Sequence, residues 1–584
     1  MKSKPLVIVL IFAITALIMP LPSGAASAPE QALPALPAET SAVSSSNYEK
    51  AIDLKILGLL ATKPDEFELD RVPTRTEGLV MLLRLLGKEY PARQGVCRHP
   101  FKDVQPWADN YVGYAYQNGI INGKSSDTFG ARDPLSANQY AAMVLRSIGY
   151  TDGEDFQYGK ALDKAAAIGI LSYTEANRLK NSPDFLRSDL VAFSYNALTV
   201  KPKGSSRTLI EKLVDTDKAV FRPAAELLGL YPSDFERRYG DVLSFLPSRT
   251  SYGYVINNAD DLIRIITKTL INHTTILELD VSGFGGDIAK EFRPAFDTAL
   301  KAAEDISGVP YFVKAWEYEC NMRSMKLTVT YRESQAKYTS KRAKVKAALD
   351  KARLIVAEHI SVDMTDFEKE KILHDYIIKN TEYDFENYHQ NTLSDEAFEE
   401  YGCLVLGYAV CEGYAKAMKL LCDLAGIECI TVAGSSVSSG EGHAWNIVKI
   451  DGEYYHLDVT NNDSLPDDGI EVPAYSYFNL TDLEMMKFCE WDRSQYPRCV
   501  STRNNYYHRY GLTAEGTASL SRVLAEAIEK RSPVIEIKVL DYSRDSYADL
   551  RKLIIESRAI KRYLYTINDE LGIIKLLDIK YFDQ

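Results

Sequence analysis

A pattern of helix, loop and helix recurs three times between residues 47 and 200, and it constrains the fold of this chain more than any other feature. The second unit is clearest: FKDVQPWADNYVGYAYQNGIINGKSSDTFGARDPLSANQYAAMVLRSIGY. Trp107, Tyr111, Val112 and Ala115 recur at helical spacing, and Gly119 stands where that helix ends. Pro134, Leu135 and Ser136 lead into a second helix carrying Tyr140, Met143, Val144 and Ile148. The first unit repeats that second helix as VPTRTEGLVMLLRLLGKE, and the third as FLRSDLVAFSYNAL. Units this small bury little alone and need neighbours to complete a core. Residues 47–200 therefore read as one module of three units, at about 47–90, 101–150 and 157–200.

The chain has 584 residues, which at roughly 150 per domain implies about four domains. Its 46% hydrophobic and 26% charged residues exclude bulk disorder, a collagen-like fibre and a coiled-coil rod. A formal charge of −13 argues against a general nucleic-acid binder. Eight cysteines are too few for a disulfide scaffold, and without a Cys-x-x-Cys pair a zinc site is weakly supported. No cofactor and no metal are expected. Lys2 and Lys4 precede an apolar run at 6–21 and the small residues PSGAASA, the pattern of a secretory signal peptide over 1–26. An uncleaved anchor is the alternative, but the run is short for a span and carries Pro20. The mature protein is expected to be exported without membrane insertion, with 27–46 as an Ala/Pro/Ser linker.

Residues 201–250 read as a linker with a short helical stretch. Residues 251–335 read as an α/β unit, with a helix at 259–272, a strand at 275–281, a helix at 288–305 and two strands within 311–331. The tail, 515–584, repeats this order: TILELDV matches VIEIKVL, and MKLTVTY matches KLLDIKY.

The chemistry lies within 336–510. Helices are expected at 341–360 and 367–380. In GCLVLGYAVCEGYAKAMKLLCDLAGIECITVAG, Ala415, Met418, Leu421 and Cys422 make one helical face, so Cys411 falls at a helix N-terminus. Unpaired N–H groups and the helix dipole favour a thiolate there and can receive an oxyanion. GHAWNIVKIDGEYYHLDVTNND follows, and Asp451-Gly452 between two alternating runs signals a hairpin. If Ile450 pairs with Glu453, His443 faces Thr460 and Trp445 faces Asp458. His443 and Asp458 then become diagonal neighbours on one face, within side-chain reach. Cys411 could complete a Cys–His–Asp set. His456 lies on the same face and is a rival base, ranked lower because it points parallel to Asp458. Cys403, Cys422, Cys429, Cys489 and Cys499 read as inert core.

Two resemblances sharpen this. FKDVQPWA, the N-G-I-I-N-G turn and Thr-Arg-x-Glu resemble the S-layer homology (SLH) repeat. That resemblance implies a pseudo-threefold module that docks onto secondary cell-wall polysaccharide of a Gram-positive-type bacterium, and hence a cell-wall location. The family's polymer-holding motif falls on Thr74, Arg75 and Glu77 in the first unit. The second unit has Ser136-Ala137-Asn138-Gln139 and lacks the arginine; the third keeps Arg187. A guanidinium at a helix start can pair bidentately with a polymer carboxylate; the alternative is that Arg75 salt-bridges within its own unit. VCEGYAKAMKLLCDLAGIE, GHAWN and YYHLDVT resemble the transglutaminase-like superfamily, a papain-like thiol fold. Nucleophile, base and orienting acid then fall on Cys411, His443 and Asp458, and the implied substrate is an amide of a peptide or protein. One departure is Asn461, where related bacterial domains often carry Trp. The expected fold class is multidomain α+β: an all-helical SLH module, then α/β units flanking a papain-type domain. The expected function is a wall-anchored thiol acyltransferase or peptidase, with a non-catalytic scaffold as the alternative.

Overall fold

The second helices of the three repeat units, Arg75–Leu85, Ala137–Ser147 and Arg187–Ala197, pack against one another, and their apolar faces make one core. The computed structural model describes residues 42–95, 97–463, 473–543 and 545–582, with side chains from Ser46 onward. The expected signal peptide, and the expected linker up to 41, lie outside the described residues. Thr74 and Ser136 cap their helices through reciprocal bonds with Glu77 and Gln139, which satisfy backbone groups a bare helix start would leave open. Leu186 has no side-chain acceptor, so the third unit keeps only the bond from Leu186 N to Asp189, 3.1 Å. The units join in a ring. Arg75 N donates to Asp133 O of the second unit, and Arg187 N to Arg71 O of the first. Asn138 Nδ2 donates to Tyr158 O of the third unit, 2.6 Å.

Two expectations about the flanks need correction. The helix Ala42–Ile56 begins inside the stretch read as linker to residue 46. The segment 201–250 is not a free linker either. Helices Leu209–Asp215 and Arg222–Leu227 place Leu209, Ile210, Leu213, Val214, Ala224 and Ala225 in the repeat module's own core. The short helical stretch expected there is present as these two helices, of seven and six residues, and it packs as part of the module instead of linking it to the next.

The central domain sets three helices, Gln335–His359, Asp366–Asn380 and Cys411–Ala425, against an antiparallel sheet. Strand order in the sheet is Phe478–Leu480, Glu453–Leu457, Gly442–Ile450, Cys429–Ser436, Cys489–Glu490. Asp451 and Gly452 both adopt positive φ, 52° and 83°, as the tight turn between the two central strands requires. Arg353 of the long helix meets Asp53 of the repeat module at 2.6 Å. Burial pushes the Asp53 carboxyl up to about 6 against the pull of that guanidinium.

The units on either side share a topology. In the first, Gly253–Val255 runs parallel to Ile276–Asp280, which pairs antiparallel with Ser324–Tyr331, and Val313–Cys320 closes the edge. In the second, Thr513–Ala514, Ile535–Val539, Ile573–Tyr581 and Ile560–Asn568 occur in the same order and orientations. Among the described residues, no helix is long and apolar enough to cross a membrane.

Candidate functional site

Cys411 is the first residue of its helix, with Val410 in extended conformation as the cap (ψ 178°). The apolar face of that helix, including Tyr414, Met418 and Leu421, is fully buried in the central core. Val410 N is tied to Ala397 O, 2.9 Å, which fixes where the helix starts. Gly413 permits this approach, since a Cβ there would lie 2.6 Å from Ala397 O. Asn446 of the GHAWN strand donates to Ala415 O, 3.0 Å, and so fastens helix to sheet in one register.

The hairpin ladder runs from Ile450–Glu453 to Asn446–Leu457, the register counted from the Asp451-Gly452 turn. It stops at Leu457. Asp458 leaves the strand and caps the short helix Val459–Asn462, so it does not face Trp445 as a ladder partner. Its carboxylate nevertheless accepts from His443 Nε2 at 2.7 Å. Asp458 is fully buried and the His443 side chain is 13% exposed, so this bond is shielded from water.

Asp458 is held on every side. Its N–H donates to Tyr477 O, and Asn461 N donates to Oδ1 at 3.0 Å. Asn461 Nδ2 donates to Oδ2 at 2.6 Å, the oxygen that His443 also uses. Nε2 of His443 and Nδ2 of Asn461 lie 3.4 Å apart because both are donors aimed at one oxygen. With Nε2 committed, Nδ1 is the nitrogen left for the thiol, and Cys411 is close enough to act on the charge of this ring. Burial pushes the His443 imidazole down, but Asp458 and then Cys411 outweigh it and raise it to about 10. An imidazolium beside sulfur is therefore favoured at neutral pH. Cys411 also acts on Tyr383 and Tyr388: burial and then this sulfur push the Tyr383 phenol up, while burial and then Glu441 push up that of Tyr388, with the sulfur adding to it. The two tyrosines stand edge to face, 6.2 Å apart, beside the thiol.

His456, the rival base, is excluded by its protons. It is fully buried, and its Nδ1 accepts from the indole N–H of Trp445 at 2.9 Å. An indole nitrogen only donates, so Nδ1 is bare and Nε2 carries the proton, which goes to Asp482 Oδ1 at 3.0 Å. Neither nitrogen is free to take a proton from a substrate or a thiol. That proton placement also governs metal binding. His456, Asp482 and Cys499 offer ligand atoms within 4.8 Å of one another. A metal on Nε2 would displace the proton that the Trp445 bond requires there, so this set does not fit a metal as it stands.

The cysteines read as inert are buried. Burial raises the thiols of Cys403 and Cys489 to about 12. Cys411 is half-buried and Cys320 is exposed.

In the repeat module, Thr74 and Glu77 are occupied as a capping box, and Glu77 also takes Arg71 at 2.7 Å. Burial opposes ionisation of Glu77, but Arg71 and the Thr74 bonds outweigh it and hold the carboxyl down at about 2. Arg75 makes no salt bridge within its own unit. It turns inward, 7% exposed, donates to Asn122 O of the second unit at 2.8 Å and lies over the Phe129 ring at 4.9 Å. Its Nε is buried without a partner. Arg187 donates likewise to Phe67 O of the first unit, 2.9 Å.

Sequence reasoning missed the role of Asn461, which it noted only as a departure, and that of Trp445, whose ring stacks on His443 at 5.7 Å and 21°. Gly434 opposite His443 was a readable signal: a Cβ there would meet the Trp445 ring at 2.8 Å and Glu490 O at 2.3 Å.

Residues 355–459 match the transglutaminase-like superfamily, and residues 100–136 match the S-layer homology domain. The chain is 29% identical over 157 residues to the kyphoscoliosis peptidase of Homo sapiens, covering 25% of this chain and 23% of that one. It is 36% identical over 81 residues to an endoglucanase of Bacillus sp. (strain KSM-635), covering 14% and 8%. It is 32% identical over 109 residues to a cell surface protein of Thermoanaerobacter kivui, covering 18% and 14%. The chain thus spans less than a quarter of the length of these relatives.

Proposed function

We propose that the chain is a cell-surface thiol acyl enzyme, held to the wall by its repeat module, that acts on amide bonds of peptides or proteins. The bond from His443 Nε2 to Asp458 Oδ2, 2.7 Å, carries this reading, because it leaves the opposite ring nitrogen for a thiol at a helix N-terminus. The Cys411 thiolate attacks the carbonyl carbon. The N–H groups at the start of Cys411–Ala425 receive the oxyanion. His443 holds the thiol proton at Nδ1 and gives it to the leaving amine. Asp458 fixes the tautomer and supports the imidazolium. Water or a second amine then takes the acyl group from sulfur, giving hydrolysis or transamidation.

The match to the S-layer homology domain supports wall polysaccharide as the anchor, bound at the seams between units that Arg75 and Arg187 bridge. Export by the N-terminal segment accords with that location. The thiol chemistry is tested by intact-mass spectrometry after exposure to activated acyl donors and wall-derived peptides. A donor acyl mass added at Cys411, absent in Cys411→Ala, is expected. An unmodified Cys411 with every donor would defeat the reading.

A further inference from the structure

The ring on which His443 rests is itself held by a chain of buried hydrogen bonds. Trp445 is 1% exposed, and its indole N–H is committed to His456 Nδ1 at 2.9 Å. His456 Nε2–H is committed to Asp482 Oδ1 at 3.0 Å. Asp482 is anchored in turn, because the same oxygen accepts from Cys499 N at 3.1 Å and Asp482 N donates to Cys499 O. The chain therefore runs from a main-chain anchor to the catalytic face of the sheet.

Its polarity is fixed. Trp445 can only donate and an ionised Asp482 can only accept, so one neutral tautomer of His456 completes both bonds. Burial pushes His456 down, and the charges of Asp482 and Asp458 only partly offset it. The Cys499 thiol and the Trp491 ring, 4.8 Å away, also lie beside it, and Ile447 and Leu480 flank it in the sheet.

The indole cannot tilt to escape. Trp491 meets it edge-on at 5.6 Å, and the missing side chain of Gly434 leaves a slot that the six-membered ring fills. His443 lies nearly parallel to this clamped surface. One end of the His443 ring is fixed by Asp458, and the plane of the ring is set by the indole. Two such constraints decide where Nδ1 points.

We propose that His456 is a positioning residue: with Asp482 it locks the Trp445 indole, and through that surface it aims His443 at Cys411. This rests on the reading of Cys411 and His443 as the reacting pair, and the test separates the two. His456→Leu should lower kcat for acyl transfer about tenfold with KM nearly unchanged, and shift the pH profile of Cys411 alkylation. His456→Gln can accept from the indole through Oε1 and donate to Asp482 through Nε2, and should recover to within about threefold of the parent rate. A purely structural role would lower the melting temperature of both variants without moving the pH profile of the folded enzyme. A folded His456→Leu enzyme with the parent kcat would overturn the proposal, as would a His456→Gln enzyme as slow as the leucine variant. If the leucine variant does not fold, nitrogen NMR of the unaltered protein decides. Between about pH 6 and 8, His456 Nδ1 should be unprotonated and the Trp445 indole N–H protected from exchange. A proton on Nδ1, or a freely exchanging indole, overturns the proposal. An intact chain in a protein whose Cys411 is inert refutes the acyl-enzyme reading instead.

Discussion

Asp458→Ala removes a fully buried carboxylate that accepts from His443 Nε2, Asn461 N and Asn461 Nδ2. His443 is raised from an ordinary value of 6.5 to about 10, although burial works against the charge. That rise is worth roughly 5 kcal/mol of preference for the imidazolium, shared between Asp458 and Cys411. About 2–3 kcal/mol assigned to Asp458 gives a fall in acylation rate of about 30- to 150-fold. The assay is single-turnover acyl-enzyme formation across about pH 5 to 10, with thermal unfolding as the control for the lost helix cap, itself about 1 kcal/mol. Without Asp458 the buried imidazole stays neutral, so the plateau that the ion pair gives at neutral pH should disappear and the rate should climb only in alkali. A folded variant reacting within about threefold of the parent rate, with the plateau intact, would refute this account of His443.

Glu370 is fully buried, takes a single bond from Asn479 at 2.9 Å and is pushed well up by desolvation. A carboxyl raised on folding stabilises below its unfolded value and loses that contribution as pH rises, so Glu370→Gln should be stabilising by about 1–3 kcal/mol in mild alkali and by less near pH 5, measured by denaturant unfolding at both pH values. Gly434→Ala places a methyl 2.3 Å from Glu490 O and 2.8 Å from the Trp445 ring; it should cost about 2 kcal/mol or more and slow acylation, and an unchanged melting temperature would argue against a tight slot. Arg75→Ala in the full chain should weaken sedimentation with polymer-bearing sacculi by about 1–3 kcal/mol, while equal binding to stripped sacculi would defeat polymer recognition.

The hairpin was readable because Asp-Gly is among the few dipeptides that accept two positive φ angles in a row, and the count from that turn holds through Leu457. The exit of Asp458 from the ladder was not readable, because a helix of four residues has no periodicity to display. The meeting of His443 and Asp458 survives because the cap turns the carboxylate back over the same face. Glu370 and Asn479 are 109 positions apart, and a buried polar pair at that separation leaves no local pattern. Arg75 was readable as a helix-start guanidinium, but its inward turn to Asn122 O depends on how two units meet. His456 and His443 share a strand face, and the strand count separates them only by direction relative to Asp458, while the donor-only indole beside His456 fixes its protons.

The most direct test of the central claim is the rate at which each thiol reacts with a neutral alkylating reagent at neutral pH, resolved by peptide mapping. Cys320 is exposed and serves as the internal reference, while the buried thiols should stay silent. Cys411 should react at least about tenfold faster than Cys320, and His443→Ala should remove that advantage while leaving the Cys320 rate unchanged. A Cys411 no faster than Cys320, or one equally fast without His443, would contradict the account.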